Sequence, residues 1–273
     1  MEPYLPNYLK GKNRRLVFDL LRERGQMSRA EITRDTGMSF PTAMKVVDAF
    51  LEKGLLVELD ETGPAAGAGR KGRLLRFEPG AYRAVGVECE GRFARVGLAD
   101  MAGGVQARET IELGDFARTR DLSPLAAAIR RMCAAANGAP VLGVCIGFPA
   151  NLDPDAAAIV SYAAMDIQQP TSFAQVFPAF WREVELPVYL ENDANLACEG
   201  EAFLRRGAGG AANMLYLSIG SGCGGAVRLD GKLRRGARCR AGEVGAMLLQ
   251  PALGAPGRSA AREKLEDAVC AAR

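Results

Sequence analysis

The 273-residue chain contains no histidine. The commonest general base near neutral pH and the commonest zinc ligand are therefore missing together. It has one tryptophan, and its seven cysteines, at positions 89, 133, 145, 198, 223, 239 and 270, form no Cys-x-x-Cys clip. An odd, scattered set reads as reduced thiols in a reducing compartment. No apolar run reaches the ~18 residues that cross a bilayer, and Met1-Glu2-Pro3-Tyr4 starts no signal-peptide pattern. The expectation is a cytoplasmic protein with no membrane partner, no metal and no cofactor.

Hydrophobic residues make up 48% and charged residues 25%, an ordinary globular balance. The length allows two or three domains. Net charge is +3, and its distribution matters more than its size. Residues 1–78 hold 14 Lys and Arg against 11 Asp and Glu, while residues 79–273 hold 21 of each. A basic excess confined to one end suggests an anionic partner there.

The first segment, 1–78, has helical periodicity. Leu16, Val17, Leu20 and Leu21 make one apolar face, ended by Gly25. Ser28 with Glu31 forms a capping-box pattern for a second helix, closed by Gly37. Ser39 caps a third, with Pro41 in its first turn and Met44, Val47, Phe50 and Leu51 inward. Two strand-like runs, 55–59 and 74–77, flank a glycine-rich basic loop. This order is a winged helix-turn-helix. The third helix is the one that enters a DNA major groove, N-terminal residues nearest the bases. Ser39, Phe40, Thr42 and Lys45 are placed for that, with Ser28 and Arg29 at the start of the preceding helix. Arg70, Lys71 and Arg73 on the hairpin suit phosphate or minor-groove contact. The alternative is a helical dimerisation module with a solvated basic loop.

The second segment, 79–207, alternates apolar runs with helices. A hairpin spans 84–100, a helix 123–136, a strand 141–146 and a helix 173–184. Asn151 lies in the loop after the 141–146 strand. The strand 186–190 then ends at Glu191-Asn192-Asp193, which opens a helix; such corners are where α/β folds bind ligands. Helix capping by Asn192-Asp193 is the plainer alternative. The third segment, 208–273, begins with a strand at 214–219. Gly220-Ser221-Gly222-Cys223-Gly224-Gly225 follows, a run whose N–H groups can converge on an anion. Ala241-Gly242-Glu243-Val244-Gly245 comes next. An amphipathic helix is expected over 259–272, holding Leu265-Glu266-Asp267.

Glu191-Asn192-Asp193-Ala194-Asn195, the 220–225 glycine run and Ala241-Gly242-Glu243-Val244-Gly245, in this order, resemble the ROK family (repressors, open reading frames and kinases). The resemblance implies an α/β actin-like, hexokinase-like fold behind the winged helix, with a sugar in the cleft between two lobes. It implies sugar contacts from Asn151, Asn192, Asp193, Glu243 and Glu266, and a phosphate-loop-like role for Gly220, Ser221, Gly222, Gly224 and Gly225. In a kinase of the family Asp193 would be the general base.

The departures point elsewhere. Family kinases carry a D-x-G-G-T turn after their first strand, but here Glu88-Cys89-Glu90-Gly91-Arg92 stands there, and carboxylates repel phosphate. Ala246 stands where the family's histidine would be, and the zinc cysteines are missing. The resemblance also implies a second lobe left incomplete, whose exposed apolar surface favours a homodimer or higher homo-oligomer. The expectation is a sugar-responsive DNA-binding regulator, a repressor, with double-stranded operator DNA and a sugar or sugar derivative as partners. An ATP-dependent sugar kinase using Asp193 is the alternative.

Overall fold

The computed structural model describes residues 11–62, 73–205, 211–220, 222–249, 263–265 and 270. Its contacts divide the chain into two compact units. One comprises Met1–Gly86, Val96–Glu109 and Ala128–Val144; the other comprises Val87–Arg95, Thr110–Ala127 and Cys145–Arg273. No helix among the described residues is long and apolar enough to cross a membrane.

The first unit begins with helix α1, Lys12–Arg24, which stops at Gly25, where φ is +74°. Its buried face is Val17, Phe18 and Leu21, whereas Leu16, expected inside, is exposed. A three-residue strand, β1 (Gln26–Ser28), follows; it is too short to show period-2 alternation and was not anticipated. Helix α2, Arg29–Thr36, starts on the expected capping box. Ser28 Oγ accepts from Glu31 N–H, and Glu31 Oε2 accepts from Ser28 N–H at 2.8 Å. Those Ser28 hydrogen bonds hold the Glu31 carboxyl below its ordinary pKa. Helix α3, Phe40–Glu52, has Pro41 in its first turn. Ser39 occupies its N-cap position, but its hydroxyl meets Thr42 Oγ1 at 2.8 Å and makes no bond to the backbone.

Strands β2 (Leu56–Thr62) and β3 (Arg73–Phe77) pair antiparallel, and β1 joins the far side of β3, giving the order β1-β3-β2. Phe18 meets Phe50 and Phe77 edge-on, at 6.5 and 5.5 Å between centroids. Val17, Leu21, Ile32, Val47 and Leu75 complete this core. Burying side chains of this size contributes roughly 1.5–3 kcal/mol each.

Five strands make the larger sheet: β4 (Arg83–Glu90), β5 (Phe93–Asp100), β6 (Val105–Glu112), β7 (Val141–Phe148) and, after three short strands, β11 (Val188–Asn192). The order is β11-β7-β4-β5-β6. Gly91, at φ +56°, turns β4 into β5. Helix α4, Ser123–Ala135, lies in the sequence between β6 and β7. Strands β8 (Asn151–Asp153), β9 (Ala158–Ser161) and β10 (Thr171–Ser172) form a small sheet of their own.

In the second unit, Phe116, Phe148, Phe173, Phe177 and Phe180 are buried, and Phe173 and Phe177 lie 4.8 Å apart. The single helix expected over 173–184 is two short ones, Phe173–Val176 and Pro178–Glu183. Pro178 lacks an N–H and pushes Phe177 out of the helical region, which breaks the run there.

After β11, helix α5 (Asp193–Leu204) leads to β12 (Met214–Ile219), β13 (Cys223–Leu229) and β14 (Lys232–Leu233), an antiparallel sheet in that order. Glu263–Lys264, expected in a helix, is instead a strand paired with Leu248–Leu249. A pairing partner distant in sequence overrides the local helical pattern there.

Candidate functional site

The candidate site is built where β11 ends and α5 begins. Asn192 is the N-cap: its Oδ1 accepts from Asn195 N–H at 3.1 Å. The same side chain donates from Nδ2 to the Ala150 carbonyl at 3.3 Å. Capping therefore does operate here, and through Asn192. It also ties the corner to Ala150, next to Asn151, which opens strand β8 instead of lying in a loop as expected. Asn151 Nδ2 donates to Ser161 Oγ at 2.9 Å, and Arg240 reaches the same hydroxyl at 3.3 Å.

Asp193 is the first residue of α5, half-buried, with Oδ1 accepting from Ala194 N–H at 2.8 Å. Desolvation raises its pKa; the Ala194 N–H opposes this, and Glu88 and Glu90 add to it. A carboxyl made more basic in this way is suited to accept a hydrogen bond or a proton from a hydroxyl. Gly147 lets it approach β4. A Cβ at Gly147 would meet Leu196 Cδ2 at 3.2 Å, and Asp193 Cα and the Val87 carbonyl at 3.4 Å.

Glu88 and Glu90, on β4 where a phosphate turn was expected to be altered, are bridged by one arginine. Arg95 donates to Glu88 Oε2 and to Glu90 Oε2, each at 2.6 Å. Glu90 Oε1 also lies 4.0 Å from the point a Cβ would occupy on Gly220. A carboxylate therefore stands beside the second glycine turn, where a phosphate would need neutral or positive surroundings.

Gly224 and Gly225 are not in that turn. Both lie within β13. A Cβ on Gly224 would meet Ala194 Cβ at 3.2 Å, and one on Gly225 would meet the Gly242 carbonyl at 2.7 Å. Their missing side chains admit α5 and the 241–245 loop, so close packing explains them without a phosphate. Gly245 is similar: a Cβ there would meet the Cys223 carbonyl at 2.3 Å. Gly220 and Gly222 remain at the turn, where Gly220 N–H donates to the Gly222 carbonyl at 2.9 Å. Ser221 and Glu266 lie outside the described residues. Glu243 is exposed.

One pair was not foreseen. Glu191 is buried, and its Oε2 accepts from Arg235 Nε at 2.9 Å and Nη2 at 2.6 Å. Its Oε1 accepts from Asn192 N–H and from Asn195 Nδ2, each at 3.0 Å. Arg235 belongs to a basic run, Lys232, Arg234, Arg235, Arg238 and Arg240. An acidic residue closing an apolar strand was the available signal, because a buried carboxylate calls for a cation. Among the described residues no group of three or more Cys, Asp or Glu is disposed to hold a metal ion.

In the first unit, Phe40 and Lys45 are exposed near the start of α3, and Thr42 is half-buried beside them. Ser28 is a correction: it is buried and held in the capping box, so its hydroxyl does not face a partner. Arg29 is engaged as well, with Glu58 and, at 3.9 Å, Asp48. Arg73 is exposed and 3.6 Å from Glu58. Arg70 and Lys71 lie outside the described residues.

The ROK family model matches residues 84–270. The chain belongs to the ROK family. It is 27% identical over 241 residues to a xylose repressor of Caldicellulosiruptor bescii, covering 87% of this chain and 58% of that one. It is 25% identical over 258 residues to the xylose repressor of Bacillus subtilis, covering 89% and 62%. A glucokinase of Halalkalibacterium halodurans is 34% identical over 140 residues, only 49% of this chain and 40% of that one. The chain thus spans about three-fifths of the repressors it matches. Among solved structures, a ROK family transcriptional regulator, a homolog of the E. coli MLC protein, superposes with a TM-score of 0.72 at 19% identity, covering 94% of this chain and 64% of that one. That likeness shows the fold, which is the actin-like, sugar-kinase-like fold of the family.

Proposed function

We propose that this ROK chain is a sugar-responsive, DNA-binding transcriptional repressor whose α/β part binds its effector without phosphorylating it. Residues 1–78 act as a winged helix-turn-helix, residues 79–207 as the first actin-like lobe and 208–273 as part of a second. The observation that carries this is the Arg95 bridge between Glu88 and Glu90, with Glu90 beside Gly220. Carboxylates fill the place where phosphoryl transfer needs charge neutralisation. The repressor relatives, similar over most of this chain, support the same reading.

Phe40, Thr42 and Lys45 contact base edges from α3, and Arg70, Lys71 and Arg73 hold the backbone. Asp193 and Asn151 receive sugar hydroxyls, with Glu243 and Glu266 as further contacts. Two chains pair so that two α3 helices meet two half-sites. Effector binding changes their spacing. The test is a gel shift with the chain's own upstream DNA at physiological salt, followed by a panel of sugars. A specific complex released by one sugar is expected; no specific complex sinks the proposal. Lys45→Ala should weaken that complex about tenfold, the scale of one good base contact.

The kinase alternative rests on Asp193, whose raised pKa suits a base, and on the glucokinase similarity over half of the chain. It requires ATP-dependent turnover of a sugar, abolished in Asp193→Asn. Turnover would displace the sensor reading, and a folded chain that turns over no sugar would leave that reading standing.

A further inference from the structure

Arg228, Arg234 and Arg235 each pair with a carboxylate: Glu199, Asp230 and Glu191. Arg240 does not. Among the described residues its guanidinium has one hydrogen-bond partner, the neutral hydroxyl of Ser161, with Nη2 3.3 Å from Oγ. The loop holds that guanidinium in place. Arg235 is anchored on Glu191, and its carbonyl accepts from Ala241 N–H at 3.0 Å. Cys239 and Gly242, at φ +52° and +95°, bend the backbone on either side of Arg240. The Arg240 carbonyl accepts from Glu243 N–H at 3.4 Å.

Ser161 lies opposite Asn151 in the β8–β9 pair. Its Oγ accepts from Asn151 Nδ2 and from Arg240, so both lone pairs are engaged and its own O–H is left to donate. The Arg240 fork has further N–H groups, and Asn151 has a second amide hydrogen. Asp153, also on β8, turns elsewhere: it accepts from Asp155 N–H at 3.1 Å and Ala156 N–H at 3.2 Å. The spot is therefore rich in donors. A sugar hydroxyl both donates and accepts, whereas an ionised acid only accepts. An acid also bonds to arginine roughly twice as strongly as a neutral group does.

We infer that Arg240, with Ser161, binds an acidic group of the effector, so that the site takes an anionic sugar, one carrying a carboxylate or a phosphate. This rests on the sensor reading above, in which Asn151 and Asp193 hold the sugar. Asn192, beside Asp193, donates to the carbonyl of Ala150, beside Asn151, so the two sides of the site are tied together. The hydroxyls face Asp193, where Glu88 and Glu90 disfavour further negative charge. The acid lies on the Arg240 side.

The experiment is isothermal titration of the full chain with glucose, galactose and mannose, each beside its uronate and its 6-phosphate. The uronates and the phosphates separate the two kinds of acid. At least one acid should bind wild type about tenfold tighter than its neutral parent, the scale of one hydrogen bond to a charged group. Arg240→Gln should bring that ratio to within about twofold, the range left once the charged bond is gone. Arg240→Lys keeps the charge without the planar fork and should retain part of the ratio. Arg238→Gln, an exposed neighbour in the same basic run, should leave it as in wild type. Circular dichroism checks that the variants are folded. Neutral sugars that bind as tightly as their acids overturn the inference and leave the sensor reading standing, as does an Arg240→Gln chain that keeps the full ratio. No binding by any sugar, neutral or acidic, removes the sensor reading and this inference together.

Discussion

Two arginine–carboxylate arrangements in the second unit use the same chemistry in different surroundings. Glu191 is buried, takes two bonds from Arg235 on its Oε2, and also accepts from Asn192 N–H and the Asn195 amide. Glu88 and Glu90 are exposed and share Arg95, one bond each. A buried carboxylate with every lone pair engaged is structural, since removing a partner leaves charge in a low-dielectric site. An exposed pair is weak, since water screens it. The first arrangement holds the shape of the β11–α5 corner. The second sets the charge beside Asp193 and Gly220.

The largest effect that would test this contrast is Arg235→Ala. It should lower unfolding free energy by roughly 2–3 kcal/mol, below the cost for a fully buried pair because Arg235 is itself partly exposed. Urea denaturation measures it, and a loss as small as that of a surface pair would erase the distinction. Arg95→Ala should cost under about 1 kcal/mol by the same measurement. It should nonetheless push the Asp193 pKa further up, because Glu88 and Glu90 lose their shared cation.

Asp193→Asn sharpens the second arrangement. The folded pKa of Asp193 is raised above its unfolded value, so between the two the folded state binds more protons. Its ionisation therefore subtracts from stability as pH rises through that window. The variant should melt slightly higher than wild type at neutral pH. That gain should disappear below the ordinary carboxylate range. A gain that persists in acid would place the effect outside Asp193 ionisation.

The smallest expected effect is an absence of reaction. Cys89 lies between Glu88 and Glu90, and burial, then Asp193 and Glu88, push its thiol up to about 12. Cys145 is raised to about 11 by burial and then by Glu191. Neither should be alkylated by iodoacetamide in the native chain at mildly alkaline pH, and both should be in urea. Rapid native labelling of Cys145 would mean that the Glu191 corner opens.

Where a feature depends on neighbours within one or two turns of chain, it was legible in advance. The Ser28–Glu31 capping box, the stops at Gly25 and Gly37, the Gly91 turn and the β11-to-α5 corner are of this kind. The carboxylates of Glu88 and Glu90 were equally visible. Local pattern misjudged 173–184, where one proline outweighed helical periodicity, and 263–264, where strand pairing did.

By itself, then, the amino-acid order determined the helices of the first segment and their caps, the position of the basic excess, and the carboxylates at 88, 90 and 193. Tertiary structure alone decided which charges meet. Glu191 and Arg235 are 44 residues apart, and no periodicity links them. It also decided that Gly224 and Gly225 serve packing, and that β12 pairs with β13 in a sheet separate from the five-stranded one. The physical reason is common to all three. Helix caps and turns are satisfied by backbone groups a few residues away, whereas burial, ion pairing and sheet edges depend on which distant segments fold against each other.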